Sequence, residues 1–80
     1  MNREDLIELV MDALESLGGK GSIVQICQYI WQKKEHELRE SGDLFYTWQY
    51  DMRWAGQKLR NDGVLIPSQE APKGIWIIAK

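Results

Sequence analysis

Apolar residues recur one, three and four apart along the first part of the chain, at Leu6, Ile7, Val10, Met11, Leu14 and Leu17. At 100° per residue this spacing gathers them on one stripe of a helix over residues 2–17. Glu4, Asp5, Glu8, Asp12 and Glu15 fall mainly outside that stripe. Asn2 suits the N-cap, and the early acids suit the positive end of the helix dipole. Gly18-Gly19 predicts the stop, because glycine enters left-handed backbone without a Cβ penalty. Ser22 with Gln25 three residues later predicts a capping box that opens a second helix. Its inward stripe is Ile23, Ile26, Cys27, Ile30 and Trp31, with Gln28, Gln32, Lys33 and Lys34 outward. The pattern fades in the charged run 33–37, and Ser41-Gly42-Asp43 predicts a turn.

A third helix is predicted to begin near Tyr46 or Thr47 and to end at Asp62-Gly63. Trp48, Met52, Ala55 and Leu59 lie within about 60° of one another and form its core stripe. Gln49, Tyr50, Arg53, Gln57, Arg60 and Asn61 occupy the opposite face. After Gly63 the period changes. Val64, Leu65 and Ile66 favour strand and stop at Pro67, a turn-forming stretch fills 68–73, and Ile75, Trp76, Ile77 and Ile78 follow Gly74 as a second strand. Trp76 points inward between outward Ile75 and Ile77. The expected fold is therefore α+β, a winged helix-turn-helix of three helices followed by a β-hairpin wing, as a single domain over residues 1–80.

The string Arg-Trp-Ala-Gly-Gln-Lys-Leu-Arg-Asn-Asp-Gly-Val-Leu at 53–65 resembles part of the N-terminal winged-helix domain of Mrr-like restriction endonucleases, where a third helix runs into the first wing strand. Gly-Ile-Trp-Ile-Ile at 74–78 is similar to that family's closing wing strand, and Ala-Leu-Glu-Ser-Leu-Gly-Gly at 13–19 to its opening. The likeness touches the whole chain and is strongest over 52–65. It implies a DNA-binding target-recognition module of a restriction or phage-defence protein, with double-stranded DNA, methylated DNA included, as its partner. Two departures stand out. Members often carry a basic residue two positions before Arg-Trp-Ala, where this chain has Asp51. The family's nuclease half, with its acidic metal-binding residues and lysine, is absent from these 80 residues.

Composition narrows the picture. Eighty residues make one domain, hiding roughly 60–65 % of the unfolded surface. The single cysteine, Cys27, excludes an internal disulfide and a four-cysteine zinc site. No run approaches the ~18 apolar residues of a membrane span. The start, Met-Asn-Arg-Glu-Asp, does not read as a secretory signal, so the expected compartment is the cytoplasm, without membrane partners. The chain ends on Lys80, just past the second predicted strand, as an excised domain would.

Catalytic chemistry finds little to stand on. His36 is the one histidine and lies in a charged run, while Cys27 faces the core as a small hydrophobe. Gly-Lys-Gly-Ser at 19–22 lacks the spacing of a phosphate-binding loop and follows a helix instead of a strand. Neither a catalytic set nor a metal or cofactor site is expected, so the chain is read as no enzyme by itself. A nuclease domain would have to be supplied elsewhere.

DNA contact is expected instead from Thr47, Gln49, Tyr50, Arg53, Trp54, Gln57, Lys58 and Arg60 on the third helix, and from Lys73 near the wing tip. Arginine pairs with guanine and glutamine with adenine through two hydrogen bonds, each pair contributing ~1–3 kcal/mol of discrimination. Lys73 suits a phosphate or the minor groove. Trp54, about 120° from the core centre, either packs under the wing with its indole nitrogen bonded to a carbonyl or offers an aromatic surface to a base or methyl group. Tyr46 is read as a lid on the core.

The net charge of −2 opposes DNA, but its distribution does not. Residues 1–44 carry five basic and nine acidic side chains, net −4, whereas 45–80 carry five and three, net +2. So small an excess predicts weak electrostatic affinity, with a homodimer or a tethered nuclease domain to hold DNA. The alternative is a winged helix acting in protein–protein interaction or dimerisation. It would use the acids of the first helix or the Leu44-Phe45-Tyr46 run.

Overall fold

The computed structural model describes residues 1–79; Lys80 lies outside the described residues. Its order is α1 (Asp5–Ser16), β1 (Lys20–Ser22), α2 (Ile23–Arg39), α3 (Leu44–Asn61), a 3₁₀ turn (Ser68–Glu70) and β2 (Ile75–Ile77). The α+β class holds, with three helices and a two-stranded antiparallel sheet, an arrangement compatible with a winged helix.

Asn2 starts α1 by accepting from the backbone N–H groups of Glu4 and Asp5, while its own N–H donates to the Asp5 carboxylate at 2.9 Å. The buried stripe is Leu6, Leu9, Val10, Ala13 and Leu14. Ile7 and Met11 pack at its edge. Leu17, expected on the stripe, sits beyond the last helical residue and is largely out of the core, because the helix ends at Ser16. Gly18 and Gly19, at φ 88° and 100°, then reverse the chain as expected.

That reversal delivers a strand the sequence does not announce. Lys20-Gly21-Ser22 has no apolar side chain, yet it pairs with β2 in the register Lys20↔Ile77, Gly21↔Trp76 and Ser22↔Ile75. β2 is thus the central segment. Its other edge meets residues 64–66 through a single bridge, Leu65↔Ile78, flanked by hydrogen bonds from Ile66 N–H to the Ile77 carbonyl and from Ala79 N–H to the Val64 carbonyl. The expected hairpin is therefore one side of a larger arrangement. Its partner on the other side comes from between α1 and α2.

Ser22 also caps α2. Its Oγ accepts from Gln25 N–H at 3.1 Å, and the Gln25 side chain accepts from Ser22 N–H at 2.9 Å, completing the predicted box. The helix does not fade at 33–37 but runs to Arg39 through a break at Lys34 (φ −129°, ψ 17°). In an unbroken helix Leu38 would lie roughly 80° from Ile30. The break resets the phase, and Leu38 is fully buried. Burial of one leucine stabilises by about 1.5–3 kcal/mol, more than the roughly 0.5–1.5 kcal/mol of a disturbed helical hydrogen bond.

α3 begins at Leu44, two or three residues earlier than the sequence pattern suggests, because Leu44 is itself a core residue. Met52, Ala55, Leu59 and Trp48 form the expected stripe, joined by Gly56. Trp31 of α2 stacks on Trp48 with ring centroids 6.0 Å apart.

Candidate nucleic-acid interface

At 100° per residue, α3 turns Tyr46, Tyr50, Arg53 and Gln57 to the side away from its core stripe, with Gln49 at the edge of that arc beside the α2–α3 cleft. All five are exposed, Tyr46 by 83 % and Tyr50 by 78 %. Tyr46 is therefore no lid on the core. The Leu44-Phe45-Tyr46 run divides, with Leu44 buried, Phe45 half-buried edge-on to Tyr46, and only Tyr46 displayed. Because α3 starts at Leu44, Tyr46 is helical and precedes Tyr50 by one turn.

None of those five residues is acidic. Asp51, the acid nearest in sequence, lies on the flank of the helix and accepts a hydrogen bond from the Thr47 hydroxyl at 2.8 Å. Thr47 is thus occupied within its own helix. Gln57 donates to the Asn61 side chain at 3.0 Å, which leaves its carbonyl oxygen and one N–H free of that bond. Lys58 reaches Asp62 at 3.7 Å on the exposed surface.

Trp54 is half-buried at the edge of the core. The guanidinium of Arg3 lies over its ring, 4.0 Å from the centroid, so the chain before α1 covers one face of the indole. This cation–π contact joins residues 51 positions apart, a distance at which no sequence spacing reports proximity.

Arg60 faces β2. Its Nη2 donates to the Ile75 carbonyl over a long 3.4 Å, and its guanidinium stands 5.7 Å from the Trp76 ring centroid. Its Nε is buried and has no hydrogen-bond partner among the described residues. A side chain so placed ties the C-terminal half of α3 to β2. Lys73 is exposed in the loop between Pro67 and Gly74, which also carries exposed Glu70.

Between α2 and α3 a shallow cleft is lined by Cys27, Gln28, Trp31, Phe45, Trp48 and Gln49. Burial pushes the Cys27 thiol up from its ordinary value, and nearby Arg53 partly opposes that shift. The thiol is half-buried, and at neutral pH it stays protonated. No cluster of metal-ligating side chains occurs among the described residues. No helix there is long and apolar enough to cross a membrane.

The structure thus groups Gln49, Tyr50, Arg53 and Gln57 of the expected set on one outward arc. Thr47, Trp54 and Lys58 lie on its flank, Arg60 turns to the sheet, and Lys73 is in the loop between Pro67 and Gly74. No family model, curated protein or solved structure matches the chain.

Proposed function

We propose that this chain is a winged-helix DNA-binding module, the target-recognition part of a restriction or phage-defence protein. In this reading α2 and α3 form the helix-turn-helix, α3 enters the major groove, and residues 64–78 form the wing. The observation that carries it is the outward arc of α3. In a chain of net charge −2, the exposed positions 46, 49, 50, 53 and 57 of α3 hold one arginine, two glutamines and two tyrosines, and no acid. These side chains hydrogen-bond to or pack against base edges, while a carboxylate there would repel the phosphates on either side. The resemblance over 52–65 supports the restriction setting. The module performs no chemistry itself, and cleavage belongs to a nuclease domain tethered to it or associated with it.

The test is duplex binding by fluorescence anisotropy at ~50 mM salt, with plain, adenine-methylated and cytosine-methylated duplexes, followed by a salt series. Binding that weakens with salt and with Arg53→Ala supports the reading. No binding to any duplex at high micromolar protein removes it.

One observation favours a second reading, a protein-interaction or dimerisation module: Tyr46, Tyr50 and Val24 leave apolar surface in water. A molecular mass that rises with concentration in light scattering, without DNA binding, is its signature.

A further inference from the structure

A recognition helix reads bases chiefly with its N-terminal residues. Over residues 44–53 of α3 four exposed side chains make no hydrogen bond or salt bridge among the described residues: Tyr46, Gln49, Tyr50 and Arg53. Leu44, Trp48 and Met52 are in the core, Phe45 is half-buried, and Thr47 and Asp51 are bonded to each other. The four that remain define a base preference through the donor and acceptor pattern of the major groove.

Each base presents different chemistry there. Adenine offers N7 and N6–H₂ to a glutamine, guanine offers O6 and N7 to an arginine, cytosine offers N4–H₂ to a carboxylate, and thymine offers a methyl group to apolar surface. Gln49 supplies the adenine partner and Arg53 the guanine partner. Within α3 itself no outward side chain is a carboxylate free for cytosine: Asp51 is turned to the flank and held by Thr47, and Asp43 stands before the first helical residue. Tyr46 and Tyr50 lie one turn apart with most of their ring surface in water, and a thymine methyl is what such a ring covers.

From this arrangement we infer that α3 selects a duplex site made mostly of A·T pairs with one guanine, and that the thymine methyls seated on Tyr46 and Tyr50 supply much of the selectivity. The inference rests on the DNA-binding reading above and adds the class of sequence. It also fits the charge: with few free cations, base contacts carry a larger share of binding than phosphate contacts do.

Uracil in place of thymine removes the methyl and leaves base pairing intact, so it isolates the proposed contact. Binding of the whole 80-residue chain is measured by anisotropy at ~50 mM salt to four duplexes. They are a site selected from a random A·T-rich pool, the same site with uracil for thymine, the same site with 7-deazaadenine, and a G·C-rich duplex. The expected loss is about fourfold for each seated methyl removed, and fivefold or more for 7-deazaadenine at the Gln49 position. Tyr50→Ala should shrink the thymine-to-uracil ratio while leaving the circular-dichroism spectrum unchanged, since this side chain is outside the core. Gln49→Ala should remove the 7-deazaadenine effect alone. Duplex binding with equal affinity for thymine and uracil, or for A·T-rich and G·C-rich DNA, overturns the inference and leaves DNA binding standing. Absence of binding to all four duplexes overturns both.

Discussion

The indole of Trp76 rests on Gly56. A Cβ added at position 56 would stand 2.6 Å from Cζ3 and 2.7 Å from Cζ2 of the ring, closer than packed carbons approach. The absence of a side chain in the middle of α3 is what lets β2 lie against the helix. Trp76, 4 % exposed, closes the core at that end.

Gly56→Ala should therefore destabilise the protein. Alanine favours a helix interior by about 1 kcal/mol over glycine, but overpacking a rigid indole costs about 1–3 kcal/mol. We expect the second effect to prevail, lowering the denaturant midpoint and increasing the solvent exposure of Trp76. A midpoint at or above wild type would show that the ring moves aside freely.

Arg60 holds β2 to α3 with a weak hydrogen bond while burying an unpaired Nε–H. An unsatisfied buried donor costs about 1–3 kcal/mol, so an apolar replacement of similar length loses little. Arg60→Met is expected to unfold within about 1 kcal/mol of wild type, whereas Arg60→Ala, which also removes the packed stem, loses more. Chemical denaturation of the two variants checks the order.

Arg3 over Trp54 is expected to couple the chain start to α3 by about 0.5–1 kcal/mol, the range of an exposed cation–π pair. A double-mutant cycle with Arg3→Ala and Trp54→Leu measures it. Additive effects would mean that the two side chains stabilise independently.

Burial raises the Cys27 pKa, and Arg53 lowers it. The thiol should alkylate more slowly than a free cysteine at pH 8. Arg53→Ala, by removing the cation, should slow it further at the same pH. A thiol with its folded pKa above its unfolded one favours the folded state below the unfolded pKa, and that contribution is lost as pH rises through the folded pKa. Iodoacetamide rates across pH 7–10 for the two proteins give the comparison.

If α3 and the loop at 67–74 meet DNA, Lys73 is the cation free to pair with a phosphate, since Arg53 is taken up by a base, Lys58 is paired and Arg60 is tucked against Trp76. One such contact predicts a slope of log K against log salt of about −1, and Lys73→Ala should remove most of it. A slope near −6 would point to phosphate contacts from residues outside this face.

Where local order governs, residue spacing was enough. The stops at Gly18-Gly19 and the Ser22–Gln25 box depend on contacts within a few residues, and the stripe Trp48-Met52-Ala55-Leu59 and the inward Trp76 follow from the helical and strand periods, so each is legible. The outward positions Gln49, Tyr50, Arg53 and Gln57 followed from the same helical period. Spacing could not supply features that need a distant partner. Lys20-Gly21-Ser22 is a strand because β2 offers it a backbone ladder, and Leu38 is buried because a break at Lys34 rotates the end of α2 into the core. Arg3 finds Trp54, and Arg60 turns from the outward face to the sheet, only once the helices are packed. The sequence by itself determined the helices, their caps and the polar arc of α3, because those follow from one period and a few local bonds. The tertiary structure alone decided which of the polar side chains remain available, because availability depends on what the rest of the chain brings alongside.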